Sequence, residues 1–257
     1  MYDILNFMLI YILFFTLIGS VFSLIGGIVL LFKEKLALRI SHLLFSFAAG
    51  TLLGTAFFDL LPEAASNASK NINIFLWALI GFLFFFLIER FIHWFHHHHE
   101  HPSTGLGQVK PTVALITLGD SVHNFIDGVA IAASFLVNIP LGIVTALAVA
   151  AHEIPQEIGD FSILLHKGVG RRKVLLLNLL SSLVAIVGAV LTFLMADFVT
   201  GLLPVFLSVT AGFFIYIAAS DLIPEIHEEN RRGLAVLETT LLFLGAIVIW
   251  VFVSLFG

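Results

Sequence analysis

Apolar stretches of about 20 residues or more follow one another along this chain, separated by short polar breaks. They run over 4–32, 41–65, 73–95, 112–136, 141–165, 174–196, 203–225 and 234–256. A helix needs about 20 mainly apolar residues to cross a bilayer. The pattern therefore predicts an all-α integral membrane protein with eight transmembrane helices, forming one domain over 1–257. Its longest polar break is a His-rich connection at 96–111, between the third and fourth spans.

Basic residues orient the spans, because Lys and Arg favour cytoplasmic loops. With the N-terminus outside, Lys33, Lys35, Arg39, Arg90, Lys110, Lys167, Arg171, Arg172, Lys173, Arg231 and Arg232 lie inside, and only Lys70 lies outside. Both termini are thus expected on the extracytoplasmic side, and the cell membrane is the expected location. The opening run MYDILNFMLIYILFF has no basic n-region and no early small-residue cleavage site. It reads as a retained span and not a signal peptide.

An internal repeat is visible. AGTLLGTAFFDLLPE begins at Ala49 and AGFFIYIAASDLIPE at Ala211. One copy lies on the second span, running outward, and the other on the seventh, running inward. This predicts an inverted repeat of helices 1–3 and 6–8 around a central pair, helices 4 and 5, an arrangement common in transporters.

Composition narrows the partners. The chain is 60% hydrophobic and 11% charged, where soluble domains carry about a quarter charged residues, so the lipid bilayer is its solvent. A net charge of -5 without a large basic block argues against nucleic acid. The absence of Cys excludes disulfides and thiolate ligands. With only three Met as well, soft-metal chemistry is disfavoured.

The polar residues that interrupt the central spans carry the chemistry. Span four holds Asp120, His123, Asn124 and Asp127, within roughly a 100° arc of a helix. Span five holds His152, Glu153, Gln156, Glu157 and Asp160, within roughly 140°. Each helix has one polar stripe on an apolar cylinder, and two such stripes are expected to face each other or a water-filled cavity. A carboxylate at mid-bilayer costs about 2.5–3.5 kcal/mol, and no Lys or Arg occurs from Thr112 to Leu165 to offset it. The carboxylates must be protonated, hydrated or neutralised by an external cation. Imidazoles interleaved with carboxylates suit a divalent metal such as Zn²⁺, and a proton relay would use the same residue types. Pro155 removes one helix hydrogen bond and frees the carbonyl of residue 151 amid these groups.

HNFIDG, from His123, and HEIPQEIGD, from His152, together resemble the paired signatures of the ZIP (Zrt-, Irt-like) divalent-metal transporters. The spans, outer termini and inverted repeat are similar too. The resemblance implies a transporter and not an enzyme, moving a divalent metal into the cytoplasm. It implies no organic cofactor, a homodimer, and motion of helices 1, 4, 5 and 6 against 2, 3, 7 and 8. Residue by residue, it implies that His123, Asp127, His152 and Gln156 match the main transport site. Asn124 and Glu153 match a neighbouring second metal site, which residue 156 bridges. The most similar subfamily has His where this chain has Gln156. An amide is a poorer zinc ligand than imidazole, so zinc is the first expectation, with Fe²⁺, Mn²⁺ or Cd²⁺ open.

Other features admit two readings. His93–His101 is a metal buffer or a dispensable solvated loop. Glu63 and Glu225, which end the repeats, are mouth residues or solvated helix ends, and Asp59 and Asp221 sit one turn deeper. Glu157 and Asp160 are expected to orient His152 or the span-four residues. Gly50, Gly54, Gly119 and Gly128 are expected close-packing sites. Two rival functions use the same stripes. One is an intramembrane metal-dependent hydrolase, although HEIPQ lacks the second His of HExxH. The other is a proton-coupled carrier of an organic substrate.

Overall fold

The structure, a computed structural model, describes residues 2–97, 109–227 and 232–256. All regular structure among them is helical. Helix α1 (Tyr2–Thr16) runs through a π turn at Leu17–Val21 and a 3-10 turn into α2 (Ile25–Thr55). A second π turn, Ala56–Leu60, leads to α3 (Leu61–Asn67), followed by α4 (Ile74–His97) and α5 (Val109–Val137). Next come α6 (Ile139–His166), α7 (Arg171–Leu194) and the short α8 (Ala196–Gly201). Helix α9 (Leu203–Ile217) continues through a third π turn, Ala218–Leu222, into α10 (Ile223–His227), and α11 (Arg232–Phe256) ends the bundle.

Seven stretches among the described residues are long and apolar enough to cross a membrane: Phe7–Ala37, Ile40–Asn67, Ile74–Phe91, Ile139–His166, Arg171–Leu194, Leu203–His227 and Gly233–Phe256. The remaining expected span is α5. Its 29 residues suffice in length, but Asp120, His123, Asn124 and Asp127 dilute its apolar character. The first two expected spans are joined more directly than their polar break implied. Helix α2 covers both sides of the break, interrupted at Lys33 (φ −141°, ψ 60°).

The central helices follow one another closely. Asn138 alone separates α5 from α6, and its Oδ1 accepts from the Leu141 N–H at 2.8 Å as an N-cap. Helix α6 stays continuous through Pro155 and ends where Gly168 adopts φ +80°. There Gly168 N–H donates to Leu165 and Val169 N–H to Leu164, satisfying terminal carbonyls.

The two copies of the sequence repeat share an irregularity. The π turns Ala56–Leu60 and Ala218–Leu222 occupy the same place in each, ending just before Leu61-Pro62 and Ile223-Pro224. A proline removes the hydrogen bond that would hold the preceding turn in α register, which favours the wider turn. Packing is reciprocal as well. A Cβ on Gly50 would strike the Leu242 carbonyl of α11, and one on Gly212 the Ala78 carbonyl of α4. Gly245 faces Phe47, and Gly81 faces Val209, from the opposite sides of the same two seams.

A second set of seams joins the other helices. Gly128 of α5 abuts Ala185 of α7, and Gly188 returns the contact to Phe125. Gly26 and Gly27 of α2 abut Ile154 and Phe161 of α6. Small residues let backbones approach closely where lipid gives no hydrophobic drive to association. Gly50, Gly54 and Gly128 thus lie at close seams, as expected, whereas Gly119 lines a cavity.

Candidate metal site

The polar stripes of α5 and α6 face each other. His123 and Asp127 lie one turn apart on α5 and meet His152 and Glu153 of α6, and four ligand atoms from these residues lie within 4.8 Å of one another. His123 Nε2 is 3.1 Å from His152 Nε2 and 3.6 Å from Asp127 Oδ2. His152 Nε2 is 3.2 Å from Asp127 Oδ2 and 3.8 Å from Glu153 Oε1, which lies 3.5 Å from His123 Nε2. Four ligands bound tetrahedrally at about 2.0–2.2 Å stand about 3.3–3.6 Å apart. The observed separations bracket that spacing.

The protonation pattern agrees. His152 Nδ1 is 3.1 Å from the Ala148 carbonyl. Donation there leaves the Nε2 lone pair facing the cluster. Asp127 Oδ2 and both Glu153 oxygens are buried without a hydrogen-bond donor. Such groups are rarely left unpaired, and a cation accepts the lone pairs of all of them at once. His152, Glu153 and Asp127 are 1, 0 and 2% exposed. No Lys or Arg lies on α6 or on α5 beyond Lys110.

Aromatic rings wall the site. His123 meets Phe85 of α4 edge-on at 5.4 Å, and His152 meets Phe214 of α9 at 6.3 Å. These contacts were not apparent in the sequence, since Phe is abundant in every span and nothing marks those that turn inward.

The other expected residues divide. Asn124 is fully buried beside the cluster and donates from Nδ2 to Asp120 Oδ1 at 2.9 Å, leaving its own Oδ1 without a partner. Gln156 lines a cavity of about 460 Å³ that opens beside His123. Asp120, Asp160, Asp221, Glu89 and Glu225 line the same cavity. Glu89 is a further polar group that sequence reasoning passed over. It accepts a hydrogen bond from the Tyr216 hydroxyl, and the one available signal was an acid within an apolar span. Asp59 and Glu63 line a separate cavity of about 290 Å³ at the other end of the bundle. No residue of the four-ligand cluster lines that second cavity.

Glu157 reaches α7. Its Oε1 accepts from Ser182 of α7 at 3.1 Å, whereas the Ala148 carbonyl is what orients His152. Asn178, one turn before Ser182, donates to the Val174 carbonyl of its own helix at 2.9 Å. Most of the His-rich loop, 98–108, lies outside the described residues, as do Glu228 and Glu229, the acidic pair that follows Glu225 and His227 in the sequence.

Fold and cluster together define a class: a multi-pass α-helical membrane protein with a buried group of residues able to hold a metal ion. Comparison with known proteins narrows it. The profile of the family described as ZIP zinc transporter matches residues 6–112 and 96–252. The chain is 31% identical to zinc transporter ZIP13 of Mus musculus over 274 residues, covering 88% of this chain and 73% of that protein. It is 33% identical to zinc transporter ZIP13 of Pongo abelii over 231 residues, covering 83% and 66%. Zinc transporter ZIP10 of Danio rerio is 40% identical over 122 residues, which are 46% of this chain and 14% of that protein. The chain belongs to the ZIP zinc transporter family. That is a family of transporters and not of enzymes, which sets the hydrolase reading aside. The chain spans about two thirds or more of the ZIP13 relatives but only a small part of the ZIP10 relative.

Proposed function

We propose that this protein carries divalent transition-metal ions, zinc foremost, across the cell membrane into the cytoplasm. His123, Asp127, His152 and Glu153 form the transport site. The observation that carries this reading is the four-ligand cluster, buried on helices whose one cation, Lys110, stands thirteen residues before His123 at the start of α5. In the full reading α5 is the fourth of eight spans and both termini lie outside. The cavity beside His123 then opens toward the cytoplasm, and its carboxylates offer a departing cation successive oxygen ligands.

Packing supports a two-part mechanism and the inverted repeat. The backbone-close glycine seams of α5–α7 and α2–α6 join helices of one group. Those of α11 and α4, against the repeat segments, join helices of the other. Between the groups, the contacts at the site are side-chain ones, Phe85 on His123 and Phe214 on His152. Side-chain seams shift more readily than interlocked backbones. Asn124 and Gln156 supply further ligands, Gln156 from the wall of the cavity beside His123. A homodimer completes the proposal.

The test is uptake into proteoliposomes with Zn²⁺, Fe²⁺, Mn²⁺ and Cd²⁺ in competition. Saturable uptake, strongest for zinc, is expected. Well-folded protein that moves none of these metals would overturn the reading. Gln156→His replaces an amide in the cavity wall by an imidazole, a better zinc ligand. It is expected to raise zinc uptake relative to manganese by roughly three- to tenfold. An unchanged ratio would show that position 156 does not select.

A further inference from the structure

We infer that a groove between α5 and α7, away from the metal cluster, binds an anionic phospholipid of the cytoplasmic leaflet. The groove has a volume of about 830 Å³, within the range of small-molecule sites. Its wall is hydrocarbon: Val113, Ala114, Leu118 and Leu177. Thr117 and Ser121 also line it, but each hydroxyl donates to a carbonyl of its own helix, at 2.9 and 2.6 Å. The wall therefore offers no free donor to a soluble anion, and it suits an acyl chain.

The mouth is cationic. Lys167 and Lys173 border it, on either side of the turn Gly168–Gly170. No carboxylate lines the groove, and among the described residues neither lysine has an ion-pair partner. Arg171, by contrast, lines a different cleft with Glu34 and His166. The turn is held in place by the left-handed Gly168 and by its two hydrogen bonds to α6, and Val169 is buried in the core beneath it. A phosphate at the mouth would meet two fixed-backbone lysines, while its acyl chain followed the apolar wall into the bilayer. Basic pockets between transmembrane helices on the cytoplasmic side bind anionic headgroups in this way. The inference rests on the proposed orientation, which puts Lys167 and Lys173 at the cytoplasmic leaflet.

The full chain, purified in neutral detergent, is titrated with phosphatidylglycerol or with phosphatidylcholine of the same acyl chains, and retained lipid is read by native mass spectrometry. One phosphatidylglycerol per chain is expected to be retained in preference to phosphatidylcholine. Lys167→Gln/Lys173→Gln is expected to weaken its apparent affinity about thirtyfold. Lys167→Arg/Lys173→Arg is expected to restore it, which separates charge from folding. Lys35→Gln, which removes a cation elsewhere, is expected to bind as the unaltered protein does. Equal retention of the two lipids, or undiminished phosphatidylglycerol binding by the double glutamine variant, would overturn the inference. Thermal stabilisation by inorganic phosphate alone, lost in the same variant, would mark a free-anion site and overturn the lipid assignment. Zinc uptake in phosphatidylcholine vesicles is measured separately. Failure of transport is thereby distinguished from failure of lipid binding.

Discussion

Zinc uptake by the reconstituted protein is expected to fall more than about 100-fold when His123 and His152 are both replaced by alanine. Losing even a partner that only orients a metal ligand costs about 10–100-fold in affinity or activity, and here two ligand nitrogens 3.1 Å apart are removed together. Insertion into the membrane is expected to survive, because neither ring makes an ion pair with Lys or Arg or caps a helix. The rings do fill space against Phe85 and Phe214, so some loss of thermal stability will accompany the change. Two controls separate the effects. Asp127→Asn keeps the volume and removes the charge, and is expected to lose uptake with less loss of stability. Ser182→Ala removes a hydrogen bond from Glu157 without touching the four-ligand group, and is expected to keep most uptake. Metal-dependent stabilisation of the purified protein gives a readout apart from transport. Undiminished zinc uptake by the double alanine variant would remove the cluster from the pathway.

Gly128→Ala is expected to destabilise the protein by about 1–3 kcal/mol or more, despite adding one methyl group and improving helix propensity. The new Cβ would fall on the Ala185 carbonyl, a backbone atom that no rotamer change can move aside. Helices α5 and α7 would have to separate, loosening Gly188 against Phe125 on the same seam. Gly50→Ala is expected to do the same between α2 and α11, through the Leu242 carbonyl. The comparison is Gly159→Ala, where the added carbon meets nothing within 4 Å. There the gain in helix propensity, about 0.8–1.0 kcal/mol, is expected to show undiminished. Thermal unfolding followed by size-exclusion chromatography ranks the variants. A Gly128→Ala protein as stable as Gly159→Ala would mean that the seam yields.

Much of this was legible from pattern alone, for particular reasons. Seven of the expected spans are visible because a bilayer demands unbroken apolar length. The α5 segment falls short of that apolar length for the same reason that it matters, since four polar residues sit at its centre. The repeat was visible because Asp-Leu-Leu-Pro-Glu and Asp-Leu-Ile-Pro-Glu are rare punctuation in an apolar text. The π turns before each proline could not be read, because turn width depends on how neighbouring helices hold the backbone. His123, Asp127, His152 and Glu153 stood out as polar residues on one stripe per helix. Which of the stripe residues converge was open, and Gln156 was expected among the primary ligands. That His123, Asp127, His152 and Glu153 converge, and that Gln156 lines the cavity beside His123, follows from how α5 and α6 are rotated about their axes. Glu157 was expected to serve His152 or the stripe on α5, and the approach of α7 gave its Oε1 Ser182 as a donor.

The sequence by itself determined that the chain is helical, lies in a bilayer, repeats itself, and carries uncompensated carboxylates beside imidazoles. Length, periodicity and the cost of charge in hydrocarbon act locally, along one helix at a time. Only the tertiary structure decided that four side chains share one point, that Phe85 and Phe214 close over it, and that one cavity reaches it. Those outcomes depend on rotation and distance between helices, which the backbone contacts at Gly50, Gly128, Gly188 and Gly212 set collectively.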